Sequence, residues 1–316
     1  MNDLQFIDLF AGTGAFTHVL KQYNARCVLS NDMAESSKKI YDMNHPEHKL
    51  TLKDLHDINI NEIPEHDILC GGFPCQPFSI AGQRLGFQDS RSNVFWKICE
   101  ILQAKKPSII ILENVKNLKS HDNGNTYQTI ESNLQNIGYH IHSKILDTSI
   151  ITHIPQHRER IYIIGFLDRN KYQQFDFNFE LPQKLPLSQF METNVPQKYY
   201  YTNRLKVYQT IEDSVVKHID TNTIYQFRRH YVRENKSNLC PTLTANMGGG
   251  GHNVPLIKDN IGIRKLTPRE CFNLQGFPNN YQLPLLSDSA LYKLAGNAVS
   301  VPVVKLIIEK ISNLIS

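Results

Sequence analysis

Over the first 167 residues, short apolar or β-branched runs alternate with longer stretches whose apolar positions recur at helical spacing. The runs 6–10, 27–30, 68–70, 108–112, 140–146 and 161–166 predict strands, and 14–22, 34–44, 94–105 and 126–136 predict helices. Strands separated by helix-length segments imply crossover connections, so the expected fold is α/β, a doubly wound and mostly parallel sheet. After residue 167 the rhythm stops. Residues 168–198 are rich in Gln, Asn, Phe and Pro and read as a linker or irregular entry. Residues 199–262 hold aromatic and polar clusters, two short strand-like runs and Met247-Gly248-Gly249-Gly250-Gly251. At Thr267-Pro268-Arg269-Glu270 a capping box opens a last helical section, and 301–315 is apolar at helical spacing, suited to covering the first domain. The expected partition is a large domain over 1–183 completed by 287–316, and a smaller, irregular, β-containing domain over 184–286.

Composition narrows the class. With 41% hydrophobic and 20% charged residues in 316, the chain reads as globular, and no apolar stretch reaches the roughly 20 residues of a membrane span. Its start lacks a basic segment followed by an apolar one, so a cytoplasmic protein is expected. Six cysteines without CxxC spacing argue against both a disulfide framework and a zinc site, and no metal is expected. Thirty-four basic against 30 acidic residues leave a net charge of +4, which excludes a polycationic tail. Residues 197–236 hold eight basic and four acidic side chains, a surplus equal to that of the whole chain. The charge is therefore local: a neutral large domain joined to a basic surface, as a polyanionic partner requires.

Four constellations can carry chemistry. Phe10-Ala11-Gly12-Thr13-Gly14 follows the first strand, and its glycines allow a tight turn or a close ligand approach at a helix start. Asp32 follows the second strand, where an acid commonly accepts a ribose diol. Phe16-Thr17 stands where a dinucleotide fingerprint needs its third glycine, which favours an adenosine-bearing ligand without a pyrophosphate. In Gly71-Gly72-Phe73-Pro74-Cys75-Gln76-Pro77, Cys75 sits in a constrained loop at a strand end, either a displayed thiol or a small buried hydrophobe. Glu113, after Ile109-Ile110-Ile111-Leu112, is either a desolvated acid able to donate a proton or an ordinary helix cap. In Gln156-His157-Arg158-Glu159-Arg160, strand alternation places Arg158 and Arg160 on one face, where they can hold an anionic substrate, hold Glu113, or form a solvated ladder.

Asp8-Leu9-Phe10-Ala11-Gly12-Thr13-Gly14, Pro74-Cys75-Gln76, Glu113-Asn114-Val115, Gln156-His157-Arg158-Glu159-Arg160, Arg264-Lys265-Leu266-Thr267-Pro268-Arg269-Glu270 and Gly296-Asn297-Ala298-Val299 follow in order. Together they resemble the DNA (cytosine-5) methyltransferases, in particular the compact bacterial enzymes of restriction-modification systems. The resemblance implies S-adenosyl-L-methionine as cofactor, with Phe10, Gly12, Gly14, Asp32, Met33, Asp54, Leu55, Pro74, Val94, Asn297 and Ala298 around it. It makes Cys75 the nucleophile and Glu113 the proton donor, with Arg158 and Arg160 positioning the flipped base. Two positions depart from the family's pattern: Ala15, where many members have glycine, and Met33, where an aromatic often stands. It makes 1–183 with 287–316 the catalytic and cofactor-binding domain and 184–286 the target-recognition domain. Gln76, Ser79, Arg84 and Arg91 resemble a DNA-closing loop, and Thr242-Leu243 the family's recognition-domain pair. Arg228, Arg229 and Arg233, interleaved with aromatics, suit phosphate and base-edge contacts. The implied partner is double-stranded DNA, with a restriction endonuclease as functional companion, no membrane, and a monomeric enzyme. The rival readings are a tRNA cytosine-5 methyltransferase, whose Cys-Phe-Thr signature is absent, an inactive DNA-binding homologue, and a thiol hydrolase, for which no histidine stands in a recognisable motif.

Overall fold

A computed structural model describes residues 1, 3–74, 93–203, 208–214, 220–228, 231–235, 237–249 and 254–315. The chain divides into two units: Met1–Leu146, Glu159–Phe179 and Val304–Ser316 form the first, Asp147–Arg158 and Glu180–Val303 the second. Residues 147–158 and 287–303 thus fall in the second unit, although the sequence pattern groups them with the large domain.

In the first unit a seven-stranded sheet is built from β1 (Gln5–Leu9), β2 (Arg26–Asp32), β3 (Thr51–Leu52), β4 (Ile68–Gly72), β5 (Ile109–Val115), β6 (His140–Asp147) and β7 (Glu159–Phe166), in the order β3-β2-β1-β4-β5-β7-β6. The four aliphatics that open β5 have no polar alternation because neither face meets water; none is more than 1% exposed. The pairs β1/β2, β1/β4, β2/β3 and β4/β5 are parallel. By contrast β7 runs antiparallel to β5. Only a four-residue helix, Thr148–Ile151, lies between β6 and β7, too short for the crossover that keeps strands parallel.

The helices α1 (Ala15–Gln22), α2 (Glu35–Asn44), α3 (Val94–Lys105) and α4 (Asn125–Ile137) match the predicted segments to within a residue or two. Asn93 caps α3 by accepting from Phe95 N at 3.0 Å, and Val94, Phe95, Ile98, Cys99, Ile101 and Leu102 turn one stripe into the core. Each such large apolar side chain contributes about 1.5–3 kcal/mol on burial. Gly138 ends α4 at φ 116, a left-handed cap that an L side chain adopts only with strain.

The second unit carries a four-stranded antiparallel sheet from β8 (Asp220–Arg228), β9 (Tyr231–Asn235), β10 (Leu256–Lys258) and β11 (Ile263–Lys265), in the order β11-β10-β8-β9. Tyr225 and Phe227 turn inward with Ile211, Leu256 and Ile263. The helix α5 (Pro268–Leu274) starts with the predicted capping box: Thr267 Oγ1 accepts from Glu270 N at 3.1 Å while Glu270 Oε2 accepts from Thr267 N at 2.8 Å. It is followed by α6 (Asp288–Asn297) and α7 (Val301–Ile315), whose residues from Val304 onward belong to the first unit. Among the described residues no helix is long and apolar enough to cross a membrane.

Candidate active site

The turn after β1 is shaped by backbone that few side chains tolerate. Phe10 and Gly12 are left-handed, with φ 55 and 54. Asp32, at the end of β2, closes the turn: Oδ2 accepts from Gly12 N at 3.0 Å and Oδ1 from Ala34 N at 2.9 Å. Gly14, φ 69, starts α1, and a Cβ there would lie 2.7 Å from His45 Nε2 and 3.0 Å from Tyr41 Cδ2. Beneath the turn Asp8 is wholly buried and accepts from Thr17 N at 3.2 Å and Thr17 Oγ1 at 2.8 Å. Burial pushes its carboxyl up to about 7, Thr17 opposes the shift and the Asp32 charge adds to it. In the same unit Asp54 caps a short turn through His56 N at 3.0 Å, Leu55 is buried, Met33 is 72% exposed, Pro74 is exposed and Val94 is buried.

The second group lies at the carboxyl end of β5. Glu113 stands opposite Gly72 on one side and Tyr162 on the other, while Val115 faces Arg160. Glu113 and Arg160 are thus diagonal neighbours on one sheet face. Arg160 Nε meets Glu113 Oε1 at 3.2 Å, and both side chains are largely buried. From the other face Asn114 Nδ2 donates to Phe73 O at 2.9 Å, fastening the segment that leads to Pro74 and Cys75.

Arg158 does not share that face. It precedes β7, lies in the second unit, is 2% exposed, and gives its guanidinium to the carbonyls of Leu243, Gly296 and Ala298. Thr242 Oγ1 donates to His157 O at 2.7 Å and Leu243 is buried. Asn297 ends α6, exposed, with Ala298 buried behind it. On the β8/β9 hairpin Gln226 pairs with Arg233 and Arg228 with Tyr231. These four share the face opposite Tyr225 and Phe227, and Arg228, Tyr231 and Arg233 are exposed. Cys75, Gln76, Ser79, Arg84, Arg91 and Arg229 lie outside the described residues.

A sequence model of the C-5 cytosine-specific DNA methylases matches residues 4–313. The chain belongs to that family. Its curated relatives include the type II methyltransferase M.Bsp6I of Bacillus sp. (strain RFL6), 46% identical over 98% of both chains. Another is the type II methyltransferase M.HhaI of Haemophilus parahaemolyticus, 35% identical over 99% of this chain and 95% of the relative. Among solved structures, the Dnmt2 methyltransferase of S. pombe superposes with a TM-score of 0.73 at 20% identity, covering 99% of this chain and 98% of that one, a likeness of fold. The protein is thus a DNA (cytosine-5) methyltransferase of the type II restriction-modification kind.

Five of the methylase's cysteines are described, all as free thiols: Cys27, Cys70, Cys99, Cys240 and Cys271. Burial pushes Cys27 and Cys99 up to about 12 and raises the other three as well. None of the five is a thiolate near neutral pH. Asp8, Asn114, Gln156 and Gln275 also shape the methylase's site segments, yet sequence reasoning gave none of them a role. The first three stand inside the family-like motifs, which is the signal that marks them; Gln275 stands in none.

Proposed function

We propose that the methylase transfers a methyl group from S-adenosyl-L-methionine to carbon 5 of a cytosine in a specific double-stranded DNA sequence, after rotating that base out of the helix. The observation that carries this is Glu113: a largely buried carboxyl tied to Arg160, in register with Gly72 three residues before Cys75. Carbon 5 of cytosine is too electron-poor to attack a methyl donor unaided. The thiolate of Cys75 adds to carbon 6, forming a C–S bond. Glu113 gives its proton to ring nitrogen 3, so the displaced electron pair collects at carbon 5, and Arg160 holds the carboxyl in place. The cofactor, when bound, supplies a methyl group on a positively charged sulfur. Once methylated, carbon 5 gives up its proton to a water acting as base, Cys75 departs as thiolate, and nitrogen 3 returns its proton to Glu113, which restores both the ring and the acid. The raised thiols of the other cysteines support this role for Cys75 by elimination.

The residues present fit an adenosyl ligand. The left-handed turn at Phe10 and Gly12 and the steric ban on a Cβ at Gly14 keep backbone, not side chains, at the strand end. Buried Phe16 and Thr17 occupy the place of a pyrophosphate-binding glycine. Phe10, Gly12, Gly14, Asp32, Met33, Asp54, Leu55, Pro74, Val94, Asn297 and Ala298 would hold the cofactor, with Asp32 accepting the ribose hydroxyls and the exposed thioether of Met33 offered to the adenine face. Rotating the base costs about a few kcal/mol. Contacts that offset it are assigned to Gln76, Ser79, Arg84, Arg91, Arg229 and Thr242, and to the hairpin face of Gln226, Arg228, Tyr231 and Arg233; Leu243, expected among them, is 1% exposed with its backbone N and O bonded to Gln156 and Arg158, so it offers DNA no surface. The enzyme works as a cytoplasmic monomer, guarding host DNA against a companion endonuclease.

Bisulfite sequencing of plasmid from an expressing host tests this: methylated cytosines in one sequence context are expected, and unmodified plasmid refutes DNA as substrate. Cys75→Ser should abolish the marks, and Glu113→Gln should slow turnover by about 10²–10⁴-fold. Normal turnover in either variant refutes the mechanism.

A further inference from the structure

A set of buried polar side chains in the second unit has no part in the chemistry above. Arg158 Nη1 donates to Leu243 O at 2.9 Å, and Nη2 donates to Gly296 O at 3.2 Å and Ala298 O at 2.7 Å. Two residues earlier, wholly buried Gln156 accepts from Leu243 N at 3.3 Å and donates to Leu274 O at 2.7 Å. Gln275, also wholly buried, donates its side-chain Nε2 to Ala295 O at 2.6 Å, and its backbone carbonyl accepts from Val301 N at 3.0 Å. Backbone bonds repeat the pattern: Cys240 N to Pro155 O at 2.7 Å and His157 N to Cys240 O at 2.8 Å. A Cβ on Gly296 would lie 2.2 Å from the carbonyl carbon of Thr244, so only glycine lets these two backbones meet.

Segments 240–245 and 295–298, far apart in sequence, therefore share one joint. A buried guanidinium is tolerated only while its donors are met. Displacing either segment strands the donors that served it, so the position of one constrains the other.

We propose that Arg158, through the carbonyl of Leu243, is a positioning residue that couples DNA contact at Thr242 to cofactor contact at Asn297-Ala298, and that it does not touch the cytosine. The proposal rests on the functional reading above. Coupling is reciprocal: DNA and cofactor tighten each other's binding by the same factor, typically about 5–150-fold.

The test uses the full-length enzyme and a duplex bearing the sequence found by bisulfite mapping. Duplex is titrated with and without S-adenosylhomocysteine, and S-adenosylhomocysteine with and without duplex. In the wild type both ratios should agree and lie within about 5–150. Arg158→Lys keeps the charge but replaces a fork of donors by one point; its ratio should fall toward 1, with a raised KM for the methyl donor. Thr242→Val, which replaces the hydroxyl that donates to His157 O with a methyl group, should lower the ratio partway, and it carries the test if the lysine variant does not fold. An unchanged ratio in both variants overturns the proposal, as does a wild-type ratio of 1. So does a lysine variant impaired in kcat alone, which would put Arg158 at the reacting base. Absence of any methyl transfer by the wild type overturns the functional reading and the coupling with it.

Discussion

Asp8 should make this protein progressively less stable as pH rises from about 4 to about 7, and Asp8→Asn should remove that effect. In the unfolded chain its carboxyl ionises near 3.8; in the fold, burial holds the proton on to about 7. Since the folded pKa is the higher one, the contribution is fully present below pH 3.8, declines as pH rises, and is gone above about pH 7. At about 1.4 kcal/mol per tenfold change in proton affinity, the difference is worth about 4 kcal/mol. Asp8 is 0% exposed, so no solvent screening discounts it. For a chain of this size that is on the order of 10 °C in melting temperature. Asparagine keeps an oxygen for the two Thr17 donors and cannot ionise. The neighbours leave the window clear, because Cys27 is pushed up to about 12 and His45 down to about 4, both by burial. Melting curves of both proteins, without cofactor or DNA and at fixed ionic strength, should be followed by circular dichroism from pH 5 to 8. The melting temperature of the wild type minus that of the variant should fall from pH 5 to about 7 and level off above it. A difference independent of pH would refute the assignment.

Two further perturbations follow. Gly14→Ala combines a left-handed backbone with a 2.7 Å approach to His45 Nε2; it should cost about 1–3 kcal/mol and weaken S-adenosylhomocysteine binding measured calorimetrically, whereas unaltered melting and affinity would show that the turn relaxes freely. Arg228→Ala and Arg233→Ala, on the exposed hairpin face, should each reduce the slope of log affinity against log salt by about 1; an unchanged slope removes that arginine from the phosphate contacts.

The hydrophobic pattern predicts the sheet and the helices well wherever burial dictates it directly, as in β5, buried on both faces, and α3, buried along one stripe. It missed β3, whose two residues are too few for any period, and it could not see that the chain reverses before β7, a matter of connection length. The arginine pair shows the limit most clearly. Spacing of two predicts a shared face only if both residues lie in the strand, and β7 begins at Glu159, between them. Arg160 obeys the rule and meets Glu113; Arg158, outside it, is free to turn toward carbonyls 85 and 140 residues away in sequence. Local pattern therefore reveals which residues can do chemistry at a strand end. What fixes their neighbours in place is set by contacts of high sequence separation, and for Arg158 the motif that flags the residue is the same whether the guanidinium holds a base or holds the protein together. Only the partners of its donors separate the two, and they favour the second.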